Sequence, residues 1–121
     1  MSLCILAGGK MMMLAASVFT LSWTHSVQKT EWREAWAVTP AGMQLTEAAV
    51  KGSGAGMEPG EDAVLKAGWW VWAPTLPPQP SIRLAASGLT PSAWRLCHAG
   101  GCLDLGVEAG DAAVLSRCEE P

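Results

Sequence analysis

The stretch FTLSWTHSVQKTEWREAWAV, Phe19 to Val38, decides the fold class. In an extended strand successive side chains point to opposite faces. Phe19, Leu21, Trp23, His25 and Val27 therefore share one side, and Thr20, Ser22, Thr24 and Ser26 share the other. The second half repeats the pattern, with Trp32, Glu34, Trp36 and Val38 on one side and Arg33, Ala35 and Ala37 on the other. Two amphipathic strands joined by a short connection make a hairpin. With Gln28 to Glu31 as the turn, Val27 faces Trp32, His25 faces Glu34, Trp23 faces Trp36 and Leu21 faces Val38. A slip of one residue would turn every tryptophan outward, so the pattern itself pins the register.

Outward from this hairpin the same signals recur. Ser2 to Ala7 and Met11 to Ala15 flank Gly8-Gly9-Lys10, and Pro40-Ala41-Gly42 precedes a strand from Met43 to Lys51. Ala63 to Lys66 and Trp69 to Ala73 form a hairpin around Ala67-Gly68. Pro74 to Pro80 holds four prolines in seven residues, which reads as an extended connection crossing from one sheet to another. Ser81 to Ser87, Ala93 to Cys97, Cys102 to Leu105 and Ala112 to Cys118 complete the set. No window sustains a helical period, and glycine or proline interrupts nearly every long run. The expectation is a single all-β domain over residues 1–121, an antiparallel two-sheet sandwich or flattened barrel.

Composition narrows the function classes. Half of the 121 residues are hydrophobic and 16% are charged, enough apolar material for one core. The net charge of −3 comes with no basic run, so nucleic acid is not an expected partner. Seven tryptophans stand beside one phenylalanine and no tyrosine, and their alternating positions mark them first as core residues. Trp69 points opposite to Trp70 and Trp72, so at least one of the three faces outward. No run approaches the ~18 apolar residues of a membrane span. Met11 to Leu21 flows into the alternating pattern and is read as strand, leaving no clear export signal in this chain.

Cys97 and Cys102 flank His-Ala-Gly-Gly, which places them opposite one another at the end of a hairpin, and Cys4 and Cys118 sit near the two termini. Of the three connectivities that four cysteines allow, the simplest pairs Cys97 with Cys102 and Cys4 with Cys118. An even number of cysteines in a small chain points to an oxidising compartment. A zinc site on Cys97, His98 and Cys102 lacks the usual spacing and a second pair, so no metal is expected. His98, in the turn, is expected to be exposed.

Chemistry concentrates on few residues. A carboxylate between Trp32 and Trp36 needs a partner, and a facing imidazole would supply one, so Glu34 and His25 are the leading pair. The pair is read first as structural, fixing the hairpin; its functional reading leaves a ring nitrogen of His25 free for a ligand, proton or metal. Ser26 lies on the opposite face from His25, and no nucleophile elbow is present, which argues against a serine hydrolase. Lys51-Gly52-Ser53-Gly54-Ala55-Gly56 lacks the ending of a phosphate-binding P-loop. Its consecutive N–H groups can still form an anion nest beside Lys51. Glu58, Glu61 and Asp62 lack calcium-loop spacing and read as solvated acids. No cofactor motif is present.

Thr24-His25-Ser26-Val27, an acid at Glu34 and Gly54-Ala55-Gly56-Met57 together resemble domain-of-unknown-function family 1850, with Gln28 where members commonly carry an acid. The resemblance implies a protein of the cell envelope, since such genes often lie beside TRAP transporters of the TAXI type that take up organic acids. It also implies that His25, Ser26, Glu34 and Gly54-Ala55-Gly56 form one site, to which the reading of the residues adds Lys51 beside the glycine loop. The expected function is a non-enzymatic accessory domain in the periplasm or envelope, binding a transporter component or a small anion. The alternative is an enzyme or metal site built on His25 and Glu34, and a sugar-binding module would need two or more coplanar exposed tryptophans.

Overall fold

The computed structural model describes residues 1–24, 30–51, 62–86, 93–107 and 110–118. Eleven strands run through them: β1 Leu3–Ala7, β2 Lys10–Leu14, β3 Val18–Thr24, β4 Glu31–Thr39, β5 Gly42–Lys51, β6 Val64–Lys66, β7 Trp69–Trp72, β8 Ser81–Ala86, β9 Trp94–His98, β10 Gly101–Leu105 and β11 Gly110–Arg117. There is no helix among the described residues. A four-stranded sheet in the order β2-β1-β11-β8 packs on a seven-stranded sheet in the order β10-β9-β3-β4-β5-β7-β6, and all pairings are antiparallel. The two sheets form an open sandwich, not a closed barrel.

The turns follow their glycines. Gly8 and Gly9 both take positive φ, 58° and 77°, as a two-residue hairpin loop requires, and Ala67 and Gly68 do the same at 50° and 87°. Gly42 answers a different demand. Its φ is 125°, and a Cβ there would lie 2.6 Å from the carbonyl oxygen of Gln79. That close approach lets Met43 and Gln79 exchange two backbone hydrogen bonds of 2.8 Å. They fasten the proline-rich connection as it passes from β7 in the large sheet to β8 in the small one.

The core lies where the small sheet covers the large one. Leu3, Ile5, Leu84 and Leu115 from one side meet Phe19, Leu21, Trp36, Val38, Met43, Leu45, Leu96 and Leu105 from the other. Burying each such side chain contributes roughly 1.5–3 kcal/mol. Two disulfides close the structure: Cys4–Cys118 joins β1 to the end of β11, and Cys97–Cys102 crosses the β9–β10 hairpin. Both are the pairings expected from the sequence, and they suit an oxidising compartment. At the free edge of the small sheet, Met11 and Met13 on β2 are 61% and 67% exposed.

The β3–β4 hairpin has the predicted faces but a different register. Trp36 faces Phe19 rather than Trp23, Trp32 faces Trp23 rather than Val27, and Glu34 faces Leu21 rather than His25, a displacement of four residues. The connection is longer than the expected turn: β3 ends at Thr24 and β4 begins at Glu31. An even displacement preserves the alternation, which is why the faces survive while the partners change. In the observed register Phe19 stacks on Trp36 with centroids 6.4 Å apart, and Trp23 stacks on Trp32 at 6.2 Å. Aromatic pairs of this kind stabilise a particular cross-strand alignment.

Candidate functional site

The residues singled out by the sequence lead to one end of the large sheet. Thr24 closes β3 opposite Glu31, the first residue of β4, and Lys51 closes β5 opposite Trp69. Trp32 links them, facing Trp23 on one side and Val50 on the other. Thr24 and Lys51, the strand ends that lead into the segment carrying His25 and Ser26 and into the segment carrying Gly54, Ala55 and Gly56, thus lie on the same side of the fold. Those five residues, with Glu58 and Glu61, lie outside the described residues; Asp62 is exposed.

Alternation sends Glu34 and Lys51 to opposite faces. Glu34 shares the inner face with Trp32 and Trp36, while Lys51 lies on the outer face, adjacent in sequence to the fully buried Val50.

On the inner face, beyond the cover of the small sheet, tryptophans form a continuous row. Trp94 tilts against Trp23 at 4.7 Å, Trp23 stacks on Trp32, and Trp32 meets the edge of Trp72 at 6.3 Å. Trp94 donates its indole N–H to the carbonyl of Ala85 at 2.9 Å, whereas the buried indole N–H of Trp32 has no acceptor among the described residues. Trp36 is buried and the other six tryptophans are half-buried. Glu34 sits where the core gives way to this row. Its cross-strand partners are Leu21 and Ala48, neither of which can pair with a charge. Trp36 donates its indole N–H to Glu34 Oε1 at 3.2 Å. Burial pushes the Glu34 carboxyl up from its ordinary pKa, and the Trp36 hydrogen bond offsets part of that rise.

The outer face carries the cations. Trp69 is the outward member of its trio, and two positive groups gather on its indole: the Arg33 guanidinium lies 4.3 Å from the ring centroid and the Lys51 ammonium 5.9 Å. Arg33 reaches Trp69 across Ala49, its partner on β5, which is only 5% exposed although it faces outward. Among the described residues the one ion pair is Arg95 with Asp104 at 3.7 Å, so no described carboxylate pairs with Arg33 or Lys51. The sequence marked Lys51, and an outward member of the trio Trp69, Trp70 and Trp72, but not Arg33. Alternation put Arg33 and Trp69 on the outer face, yet their meeting depends on β7 pairing with β5 while β6 takes the edge.

At the β9–β10 turn, His98 is half-buried rather than exposed, because its ring folds over its own turn and Nδ1 accepts the N–H of Gly100 at 3.2 Å. Among the described residues no three of His, Cys, Asp and Glu gather as metal ligands would.

The family model for DUF1850, a domain of unknown function, matches residues 19–105. Comparisons with curated proteins and with solved structures gave no match.

Proposed function

This chain belongs to the DUF1850 family, and we propose that it serves there as a non-enzymatic binding domain of the cell envelope whose ligand is a small organic anion. The observation that carries the reading is the convergence of Arg33 and Lys51 on Trp69 with no ion pair to either among the described residues. Two like charges held on one indole repel each other, and an anion relieves that repulsion while accepting charge-assisted hydrogen bonds. Arginine adds a planar fork that matches a carboxylate. Lys51 leads directly into Gly52-Ser53-Gly54-Ala55-Gly56, whose N–H groups extend the same preference, and Ser26 and His25 follow Thr24 at the neighbouring strand end. Accessory service to an organic-acid transporter is the setting implied by the family resemblance, and the two disulfides suit a periplasmic location.

An enzyme or metal site on His25 and Glu34 draws less support. Glu34 is partnered by Leu21, Ala48 and Trp36, and it lies on the face opposite Lys51.

Calorimetric titration with succinate and with inorganic phosphate at low ionic strength tests the reading. Binding should weaken by about tenfold or more in Arg33→Gln or Lys51→Gln, as expected for losing a hydrogen bond to a charged group, and should fade as salt is raised. Equal affinity in wild type and both variants would refute it.

A further inference from the structure

We propose that the anion is amphiphilic: a carboxylate joined to an apolar chain, with its head at Arg33 and Lys51 and its tail along a groove on the outer face of the large sheet. The inference rests on the anion site just described and adds the class of molecule that fits it.

The groove encloses about 520 Å³ and lies over β9, β3, β4 and β5. Its lining includes Val18, Thr20, Ala35, Ala37, Thr46 and Cys97, and no Asp, Glu, Lys or Arg contributes to it. The register explains the hollow. Thr20 faces both Ala35 and Cys97, and Val18 faces Ala37, so small side chains meet in the middle of a wide sheet. Thr46 is the extra residue of a bulge in β5 between the pairs Ala35–Glu47 and Trp36–Leu45, and its hydroxyl donates to the carbonyl of Ala35 at 3.0 Å. That bond consumes the threonine's polarity and leaves its methyl group on the rim. Val18, at the far end, is 63% exposed.

The groove leads to the cations. Arg33, Ala35 and Ala37 follow one another on the outer side of β4, so the guanidinium end and the Ala37 end are about 13 Å apart along the strand. A chain of roughly ten carbons covers that span. Charge runs the same way, from a floor without described charged side chains to two cations that form no ion pair among the described residues. Of the nearby acids, Asp104 is held by Arg95, Glu31 faces Thr24 at the sheet end, and Glu47 stands beside Ala35 outside the groove lining. An apolar groove with a single positive end selects neither a neutral lipid nor a bare inorganic ion; it selects a molecule with one anionic terminus and a hydrocarbon body.

The test is a titration with straight-chain carboxylates from acetate to decanoate, each below its micellar concentration, followed by calorimetry and by amide chemical shifts. Affinity should rise by about two- to fourfold per added methylene, as burial of each CH₂ would give. Ala37→Trp should erase that gain while leaving acetate binding unchanged, and Arg33→Gln should weaken the whole series. Decanoate bearing a terminal nitroxide should broaden the amide signals of Thr20 and Ala37 in wild-type protein, a readout independent of how well the variant folds. If acetate and decanoate bind alike and Arg33→Gln still weakens both, the tail groove is wrong and the anion site stands. If the chain-length gain survives Ala37→Trp but is lost in Met13→Lys, the exposed β2 edge binds the tail and the inference is overturned. If neither acid binds, the anion site falls with it.

Discussion

Trp36 donates its indole N–H to Glu34 Oε1 at 3.2 Å, two residues away on the same face of β4. The bond joins a fully packed core residue to a carboxylate that forms no ion pair among the described residues. An unpaired acid in such a place costs stability while ionised, and a single neutral donor offsets only part of that cost. Glu34 is therefore retained against the interest of the core, which marks it as a residue whose removal is informative.

Replacing Glu34 with glutamine should stabilise the protein at neutral pH and flatten its pH dependence. The folded-state pKa of Glu34 is raised by burial, so the folded protein binds the proton more tightly than the unfolded chain. Stability is then highest below the unfolded value for glutamate, about 4.3, and is lost as pH rises from there through the higher folded value. Glu34→Gln keeps an acceptor for Trp36 and removes the charge. Glu34→Ala removes the acceptor as well and should cost about 1–3 kcal/mol relative to Gln. Denaturant midpoints across pH 4 to 8 measure both effects; a wild type that gains stability with rising pH in that window would count against the burial of the carboxylate.

Removing Cys4–Cys118 should cost more than removing Cys97–Cys102. The first spans a sequence separation of 114 and the second of 5. Chain entropy assigns about 4.7 kcal/mol to a loop of roughly a hundred residues and less than about 3 kcal/mol to one shorter than fifteen. Urea unfolding of the paired Cys→Ser variants under oxidising conditions compares them directly, and equal losses would show that the terminal bridge leaves the unfolded chain little constrained.

Gly42→Ala should destabilise by about 1–3 kcal/mol from backbone strain alone, and further if the contact with Gln79 opens. Gly8→Ala, at φ 58° with open space around it, is the control and should cost about 1–2 kcal/mol. Slowed amide exchange at Met43 is expected in wild type because its N–H donates to Gln79 at 2.8 Å. That protection should fall in Gly42→Ala and survive in Gly8→Ala.

Much of this architecture is legible in the sequence, and the illegible part has a common cause. Gly8-Gly9, Pro40-Ala41-Gly42 and Ala67-Gly68 announce their turns because local backbone chemistry allows little else there. The inward side of β3 and β4 follows from alternation. The register between those strands does not, because Phe19–Trp36 and Trp23–Trp36 are both plausible aromatic pairs and only the length of the connection separates them. Strand order is likewise non-local. Nothing near Arg33 indicates that Trp69 will stand two strands away, since that depends on β7 displacing β6 from the side of β5. Register therefore places Leu21, not His25, opposite Glu34, and strand order brings Arg33 to Trp69.

The central claim is that the cations around Trp69 hold an organic anion, and an amide chemical-shift titration of the intact chain with succinate tests it most directly. The account predicts saturable shifts at Arg33, Lys51 and Trp69 and at Gly54 and Gly56, weakened about tenfold or more in Arg33→Gln. Unmoved signals at Arg33, Lys51 and Trp69 while another surface responds would contradict it.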